Sequence, residues 1–192
     1  MAVFIADRIR SAFDVCQKSR GELDVTSQSE VRSLFSKRDY DILIHTAGTL
    51  NAGRVTEISP DDWIRDIEVN AIGTFNLLHH ALKRNPKTRI VLISSTAAFN
   101  SYADWTSYCI GKYAQVNLAR ALIKDGYKIY CFCPGAIDTK FRAGLQIVNS
   151  NVMSLEEACE PILTSLTDDI LAPGVYLYRK GEGLKDMEYQ PV

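Results

Sequence analysis

The sequence predicts an α/β domain, a three-layer sandwich on a mostly parallel, doubly wound sheet, with residues 1–192 forming one unit. Three observations lead there. Short apolar runs recur along the chain and are continuous rather than alternating, as strands buried on both faces are. Segments with apolar residues at helical spacing separate them, an order that favours parallel strands joined by helical crossovers. No repeat, low-complexity tract or linker interrupts the alternation, and 192 residues suit one sizeable core.

The elements follow in order. Ala2, Ile5, Ile9, Ala12 and Phe13 keep a helical period, so a first helix and then a strand at Phe13–Cys16 are favoured; the competing parse makes Val3–Ala6 a strand. Ser27 with Glu30 three residues later is a capping box, followed by Val31, Leu34 and Phe35 at helical spacing. Strands are expected at Ile42–His45, Ile90–Ile93, Ile129–Cys133 and Val175–Tyr178. Ser59-Pro60 opens a helix with an N-cap and a proline at its first position. Its apolar stripe would be Trp63, Ile67, Ala71, Phe75, Leu78 and Leu82. Further helices are expected at Tyr108–Ile123 and Leu155–Leu166.

Composition excludes several classes. The chain is 46% hydrophobic and 23% charged with a net charge of −1, an ordinary globular mixture that argues against a nucleic-acid-binding surface. No apolar run approaches the ~20 residues that span a bilayer, and Asp7, Arg8 and Arg10 break any secretory h-region. The five cysteines, Cys16, Cys109, Cys131, Cys133 and Cys159, include no Cys-x-x-Cys pair and read as reduced thiols of a cytoplasmic protein. His45, His79 and His80 show no ligand spacing to them, so no metal site is expected.

Chemistry concentrates in the middle of the chain. Tyr108 and Lys112, four residues apart on a helix, share a face. A nearby ammonium favours the phenolate and lowers the phenol pKa, so the pair can exchange a proton with a carbonyl or alcohol oxygen; alone, the spacing equally describes a surface helix pair. Ser95 lies 13 residues before Tyr108 at a strand end, where open α/β sheets present ligands with side chains, or it merely ends the strand. Asn70, mid-helix beside the apolar stripe, either relays protons through water or makes a buried hydrogen bond. Thr46-Ala47-Gly48 ends one strand with residues small enough for close ligand approach. Pro134-Gly135 ends another, followed by Ile137 and Thr139.

Taken together, Asp24-Val25-Thr26, Thr46-Ala47-Gly48, Val69-Asn70-Ala71, Ile93-Ser94-Ser95, Tyr108-x-x-x-Lys112 and Pro134-Gly135-x-Ile137-x-Thr139 resemble the short-chain dehydrogenase/reductase family, in order, from about Ser19 to Thr139. The resemblance implies a Rossmann-like fold and an NAD(P)-dependent oxidoreductase acting on a small-molecule carbonyl or alcohol. Tyr108 would be the general acid–base. Lys112 would lower its pKa and hold the nicotinamide ribose, Ser95 would orient the substrate oxygen, and Asn70 would support a water chain. Asp24 and Val25 would contact adenine, Ala47 and Gly48 the adenosine side, and Ile137 and Thr139, after Pro134 and Gly135, the carboxamide. Lys140–Met153 would cover the substrate. A homodimer or homotetramer is expected.

The sequence departs from the family at its start. The family's glycine-rich turn, which seats a pyrophosphate on a helix N-terminus, has no counterpart here; the first glycine is Gly21. The simplest alignment makes residues 2–12 the helix after that turn and Phe13–Cys16 the second strand, leaving the first strand and phosphate loop out of this chain. Two inner strand edges would then be exposed. After Phe13–Cys16 come Lys18 and Arg20, suited to the 2′-phosphate of NADP, whereas the competing parse puts Asp7 there and favours NAD. His45-Thr46 also replaces the family's usual Asn-Asn. The second functional reading is a non-catalytic relative that binds a ligand or partner through the same fold.

Overall fold

The computed structural model describes residues 1–143, 149–167 and 171–187. Its sheet runs β1 (Ile42–His45), β2 (Arg89–Ile93), β3 (Ile129–Pro134), β4 (Gly174–Tyr178), β5 (Lys185–Asp186) in that spatial order. The first four strands are parallel, with Ile44 opposite Val91, Leu92 opposite Cys131 and Cys133 opposite Leu177, while the two-residue β5 closes the far edge antiparallel to β4.

Alternation along the strands splits the core into two layers. Ile90, Leu92, Cys131, Cys133, Val175 and Leu177 face α2 (Gln28–Lys37), α4 (Gly73–Arg84) and α5 (Thr106–Lys124). Val91, Ile93, Tyr130, Phe132, Tyr176 and Tyr178 face α1 (Ala2–Ile9) and α7 (Leu155–Thr167). Helices on both faces of a parallel sheet are what the continuous apolar strands require. The N-cap serines act as the sequence implies, while the Glu30 carboxylate accepts from Asp24 N at 2.9 Å and not from Ser27 N, so the expected capping box is half formed. Ser27 Oγ accepts from Glu30 N at 3.4 Å to open α2, and Ser59 Oγ accepts from Asp62 N at 3.0 Å to open α3 (Pro60–Ile67). Among the described residues no helix is long and apolar enough to cross a membrane.

Two expectations fail. Between α3 and α4 the chain makes a π-helical turn, Glu68–Ile72, with Gly73 N donating to Glu68 O. One wider turn shifts the helical phase next to it, while Leu78 and Leu82 of the expected stripe stay buried. The buried face of α4 is therefore Thr74, Leu77, Leu78, Ala81 and Leu82, and Phe75 is half exposed instead of in the stripe. The second failure is at the start. Neither Val3–Ala6, which is inside α1, nor Phe13–Cys16 is a strand. β1 is thus the edge of the sheet, so one inner edge is open rather than two. A strand needs a neighbour's ladder, and Phe13–Lys18 has none within reach. It lies across a cavity of about 350 Å³ whose other wall is Ile42, Leu43, Ile44 and Thr46, with Ile5, Ile9, Leu34, Phe35 and Leu166 also lining it.

Candidate active site

The C-terminal ends of the strands carry the polar groups. β2 ends in Ser94 and Ser95, and the two hydroxyls part company. Ser94 Oγ donates to Lys112 O at 3.1 Å inside the core, whereas Ser95, half-buried, caps the 3-10 turn Thr96–Ala98 by accepting from Ala97 N at 3.1 Å. Ser95 is also the hydrogen-bonding neighbour of Tyr108. The 13-residue spacing therefore selects the serine that faces the tyrosine.

α5 presents Tyr108 and Lys112 on one face, with Lys112 Nζ 5.6 Å from the centre of the Tyr108 ring. Both are buried. Trp105 packs edge-on against Tyr108 at 5.9 Å and Phe141 lies at 6.0 Å, so the phenol sits in an aromatic wall. Burial pushes the phenol up to about 12; the Ser95 hydrogen bond opposes this, and Cys109, Asp66 and Cys133 add to it. Burial also pulls Lys112 down to about 8, against the nearby Cys131 and Cys133 thiols. In this arrangement burial outweighs any lowering of the phenol pKa by Lys112. Its Nζ donates to Ile93 O at 3.1 Å and to Gln115 Oε1 at 3.1 Å, so two of its three N–H bonds point inward.

Asn70 sits in the π-helical turn, fully buried. Its side chain is paired with one backbone unit, accepting from Thr49 N at 3.2 Å and donating to Thr49 O at 2.7 Å. That is the buried-hydrogen-bond alternative, and it pins the loop after β1. The pinning explains Gly48. A Cβ there would lie 2.9 Å from Asn70 Oδ1 and 3.5 Å from Lys112 Nζ. Ala47 packs on the core beside it.

Several residues of this centre escaped sequence reasoning, Asp66 first among them. Asp66, wholly buried, accepts from Ser107 Oγ at 2.6 Å, Asn51 N at 2.8 Å and Asn51 Nδ2 at 3.1 Å. It ties the residue before Tyr108 to the same loop that Asn70 holds. The available signal was a carboxylate four residues before Asn70, on the same helical face.

The remaining predicted residues are more dispersed. Gly135 N donates to Tyr178 O at 2.8 Å, and Ile137 bridges to Met153, so the turn after Pro134 is built into the sheet end. Thr139 is half-buried just before α6 (Lys140–Ala143). Within Lys140–Met153, the expected substrate cover, residues 144–148 lie outside the described residues. Asp24 Oδ1 accepts from Thr26 N at 2.9 Å and Thr26 Oγ1 at 2.7 Å, and Arg65 reaches Oδ2 at 3.4 Å. The Thr26 hydrogen bonds, then Arg65, hold that carboxyl below the usual range. Val25 is buried, with its side chain against Gly73. Arg20 is exposed on the turn before Asp24, and Lys18 pairs with Glu22 at 3.9 Å. The structure thus gathers Gly48, Asn70, Ser95, Tyr108 and Lys112, and leaves Arg20 exposed and Asp24 bound to Thr26 and Arg65. The five cysteines are free thiols, and among the described residues no cluster could hold a metal ion.

A parallel sheet with helices on both faces and a serine, tyrosine and lysine at its strand ends defines a class, and the sequence profile described as short chain dehydrogenase matches residues 12–148: the chain belongs to that oxidoreductase family. Among curated relatives it is 34% identical over 110 residues to the meso-2,3-butanediol dehydrogenase of Serratia marcescens, covering 54% of this chain and 44% of that enzyme. It is 27% identical over 156 residues to an uncharacterized oxidoreductase of Staphylococcus aureus, covering 75% of this chain and 68% of the relative. The chain thus spans less than half of the butanediol dehydrogenase it matches. Among solved structures, an alcohol dehydrogenase of the archaeon Thermococcus sibiricus, complexed with 5-hydroxy-NADP, superimposes with a TM-score of 0.73 at 22% identity, over 87% of this chain and 75% of that one. A putative gluconate dehydrogenase from Agrobacterium tumefaciens gives 0.60 at 30% identity, over 64% and 53%.

Proposed function

We propose that this chain is an NAD(P)-dependent oxidoreductase that interconverts a small-molecule carbonyl and alcohol, with Tyr108 as the general acid–base. The observation that carries the reading is the buried Lys112 ammonium 5.6 Å from the Tyr108 ring, with Ser95 on the phenol, at the strand ends. Part of the centre fits a bound nucleotide: Thr49 Oγ1, next to Gly48, is buried with no hydrogen-bond partner among the described residues. When bound, the nicotinamide supplies the hydride. Ser95 Oγ orients the carbonyl oxygen. A phenol pushed to about 12 is fully protonated at neutral pH, so Tyr108 can donate its proton to that oxygen as negative charge develops there. The Lys112 charge then stabilises the phenolate left behind. Lys112 and Gly48 would hold the ribose side, Ile137 and Thr139 the carboxamide, and Asp24, Val25 and Ala47 the adenosine. Lys18 and Arg20 support a modest preference for NADP. We read the chain as one domain that assembles as a homodimer or homotetramer; the exposed apolar side chains Ile64, Ile72 and Phe75, with Ile110 and Tyr113, supply a surface for it.

A second reading is a family member that keeps the fold and binds a ligand or partner without catalysing. Titrating NADPH and NADH against the fluorescence of Trp63 and Trp105 separates them, since Trp105 touches Tyr108. Quenching by NADPH, tighter than by NADH, is expected. No quenching by either cofactor would favour the non-catalytic reading, and clearly tighter NADH would overturn the role given to Lys18 and Arg20.

A further inference from the structure

Lys112 Nζ has two acceptors among the described residues, Ile93 O and Gln115 Oε1, each at 3.1 Å. Ile93 O is a fixed backbone group. Gln115 is a fully buried amide that could in principle present either end. What decides its orientation lies one step further in. Gln115 Nε2 meets Thr74 Oγ1 at 2.9 Å, His45 Nε2 meets the same oxygen at 2.9 Å, and Thr74 Oγ1 donates its single proton to Asn70 O at 2.7 Å. With that proton committed, Thr74 can only accept from the other two. His45 must therefore carry its proton on Nε2, and Gln115 must turn its NH₂ to Thr74 and its oxygen to Lys112. A flipped amide would set NH₂ against ammonium and leave Thr74 facing an oxygen with nothing to give.

We infer that Gln115 is a positioning residue for Lys112: locked by Thr74 and His45, its oxygen holds the ammonium so that two N–H bonds point inward and the third faces Gly48 and the crevice. The close approach of Nζ to Gly48, 3.5 Å from where a Cβ would stand, gives that third N–H its place. The inference rests on the reading of Lys112 as partner to Tyr108 and the ribose. It adds residues that the Tyr-x-x-x-Lys spacing does not contain. A buried polar chain of His45, Thr74 and Gln115 costs stability that an apolar residue at position 115 would spare, since each member must be paired to be tolerated.

The titratable groups facing Lys112 are His45 from β1, Tyr108 on its own helix, and Cys131 and Cys133 from β3. His45 is driven down to about 3, by burial first and by Lys112 second, and is neutral. Among the described residues no carboxylate pairs with Lys112, so carbonyl oxygens hold its proton.

The test is the titration of Lys112 in the full chain, read by NMR of lysine labelled at Cε, in the wild type, Gln115→Met and Gln115→Glu. The wild type should titrate near 8. Gln115→Met keeps the volume and removes the acceptor, and should lower the midpoint by about one pH unit, tenfold in proton affinity. Gln115→Glu should raise it by at least as much, and also serves should the methionine variant fail to fold. The methionine variant should further weaken NADPH binding about tenfold. A midpoint unmoved in both variants would overturn the inference and leave Gln115 as packing. The lysine titration needs no turnover. Shifted midpoints in a chain that reduces no carbonyl would retire the catalytic reading and keep the positioning.

Discussion

Around Tyr108 and Lys112 buried polar groups hold one another in place. Asn70 grips Thr49, Asp66 grips Ser107 and Asn51, and Gln115 grips Lys112. Along the outer edge of β1 the chain does the opposite. Phe13–Lys18 runs as irregular backbone across a cavity from Ile42–Ile44, which stay half-buried where β2 and β3 are closed in. The end of the crevice proposed for proton transfer is thus preorganised, while along β1 residues 1–192 supply neither a pairing strand nor a glycine-rich turn. Chemistry and cofactor affinity are therefore separable here, and each can be altered without the other.

The largest effect should come from the weaker region. Phosphate binding in such crevices draws on backbone amides at a glycine turn and a helix N-terminus. The 192-residue chain should bind NADPH with a dissociation constant nearer millimolar than micromolar. Preceding Ala2 with a strand and a glycine-rich turn should fill the cavity beside β1 and tighten binding up to about a thousandfold, roughly 4 kcal/mol. Calorimetric titration of both chains decides it. Micromolar binding without the extension would mean that the phosphates are held elsewhere.

Next comes the stronger region. Tyr108→Phe keeps the ring against Trp105 and Phe141 and removes the proton. Turnover should fall at least ~100-fold with NADPH affinity and melting temperature little changed. Near-normal turnover would end the acid–base assignment.

A smaller effect is written into His45. Its folded pKa of about 3 lies below the ordinary 6.5, because burial disfavours the imidazolium. The unfolded chain takes up a proton as pH drops through 6.5 and the folded chain does not until about 3, so stability is full above 6.5 and is lost between those limits. At pH 5 the loss from this group should be about 2 kcal/mol. Urea midpoints at pH 7 and 5, compared with His45→Asn, measure it; equal acid sensitivity in both proteins would show that His45 contributes nothing.

Much of the preorganised region was legible. Four parallel strands, the Ser27 and Ser59 caps and the Tyr108–Lys112 helix follow from periodicity and spacing, which are local signals. Gln115, Asp66 and Thr74 were not, because a buried polar residue declares itself only through partners distant in sequence, and 41 residues separate Gln115 from Thr74. Phe75 was misplaced because hydrogen bonding, rather than hydrophobic pattern, sets the π-helical turn before it. Phe13–Cys16 has strand-like composition, yet a strand exists only beside a neighbour, and local reading cannot supply one.

Two glycines sharpen the contrast most directly. On α5, a Cβ on Gly111 would stand 2.6 Å from Asn70 Cβ, an atom close to the backbone that cannot swing aside. On the turn before Asp24, a Cβ on Gly21 would meet nothing within 4 Å. Gly111→Ala should gain up to ~1 kcal/mol in helix propensity and lose ~1–3 in overpacking, for a net destabilisation of about 1 kcal/mol. It should also push Asn70 off Thr49, loosening the loop beside Gly48 and weakening NADPH binding severalfold. Gly21→Ala should leave stability within about 0.5 kcal/mol and binding unchanged. Chemical denaturation with NADPH titration of the two variants reads both quantities. If Gly21→Ala proved the more damaging, the first 26 residues, and not the α5 face around Asn70, would be the ordered part of the site.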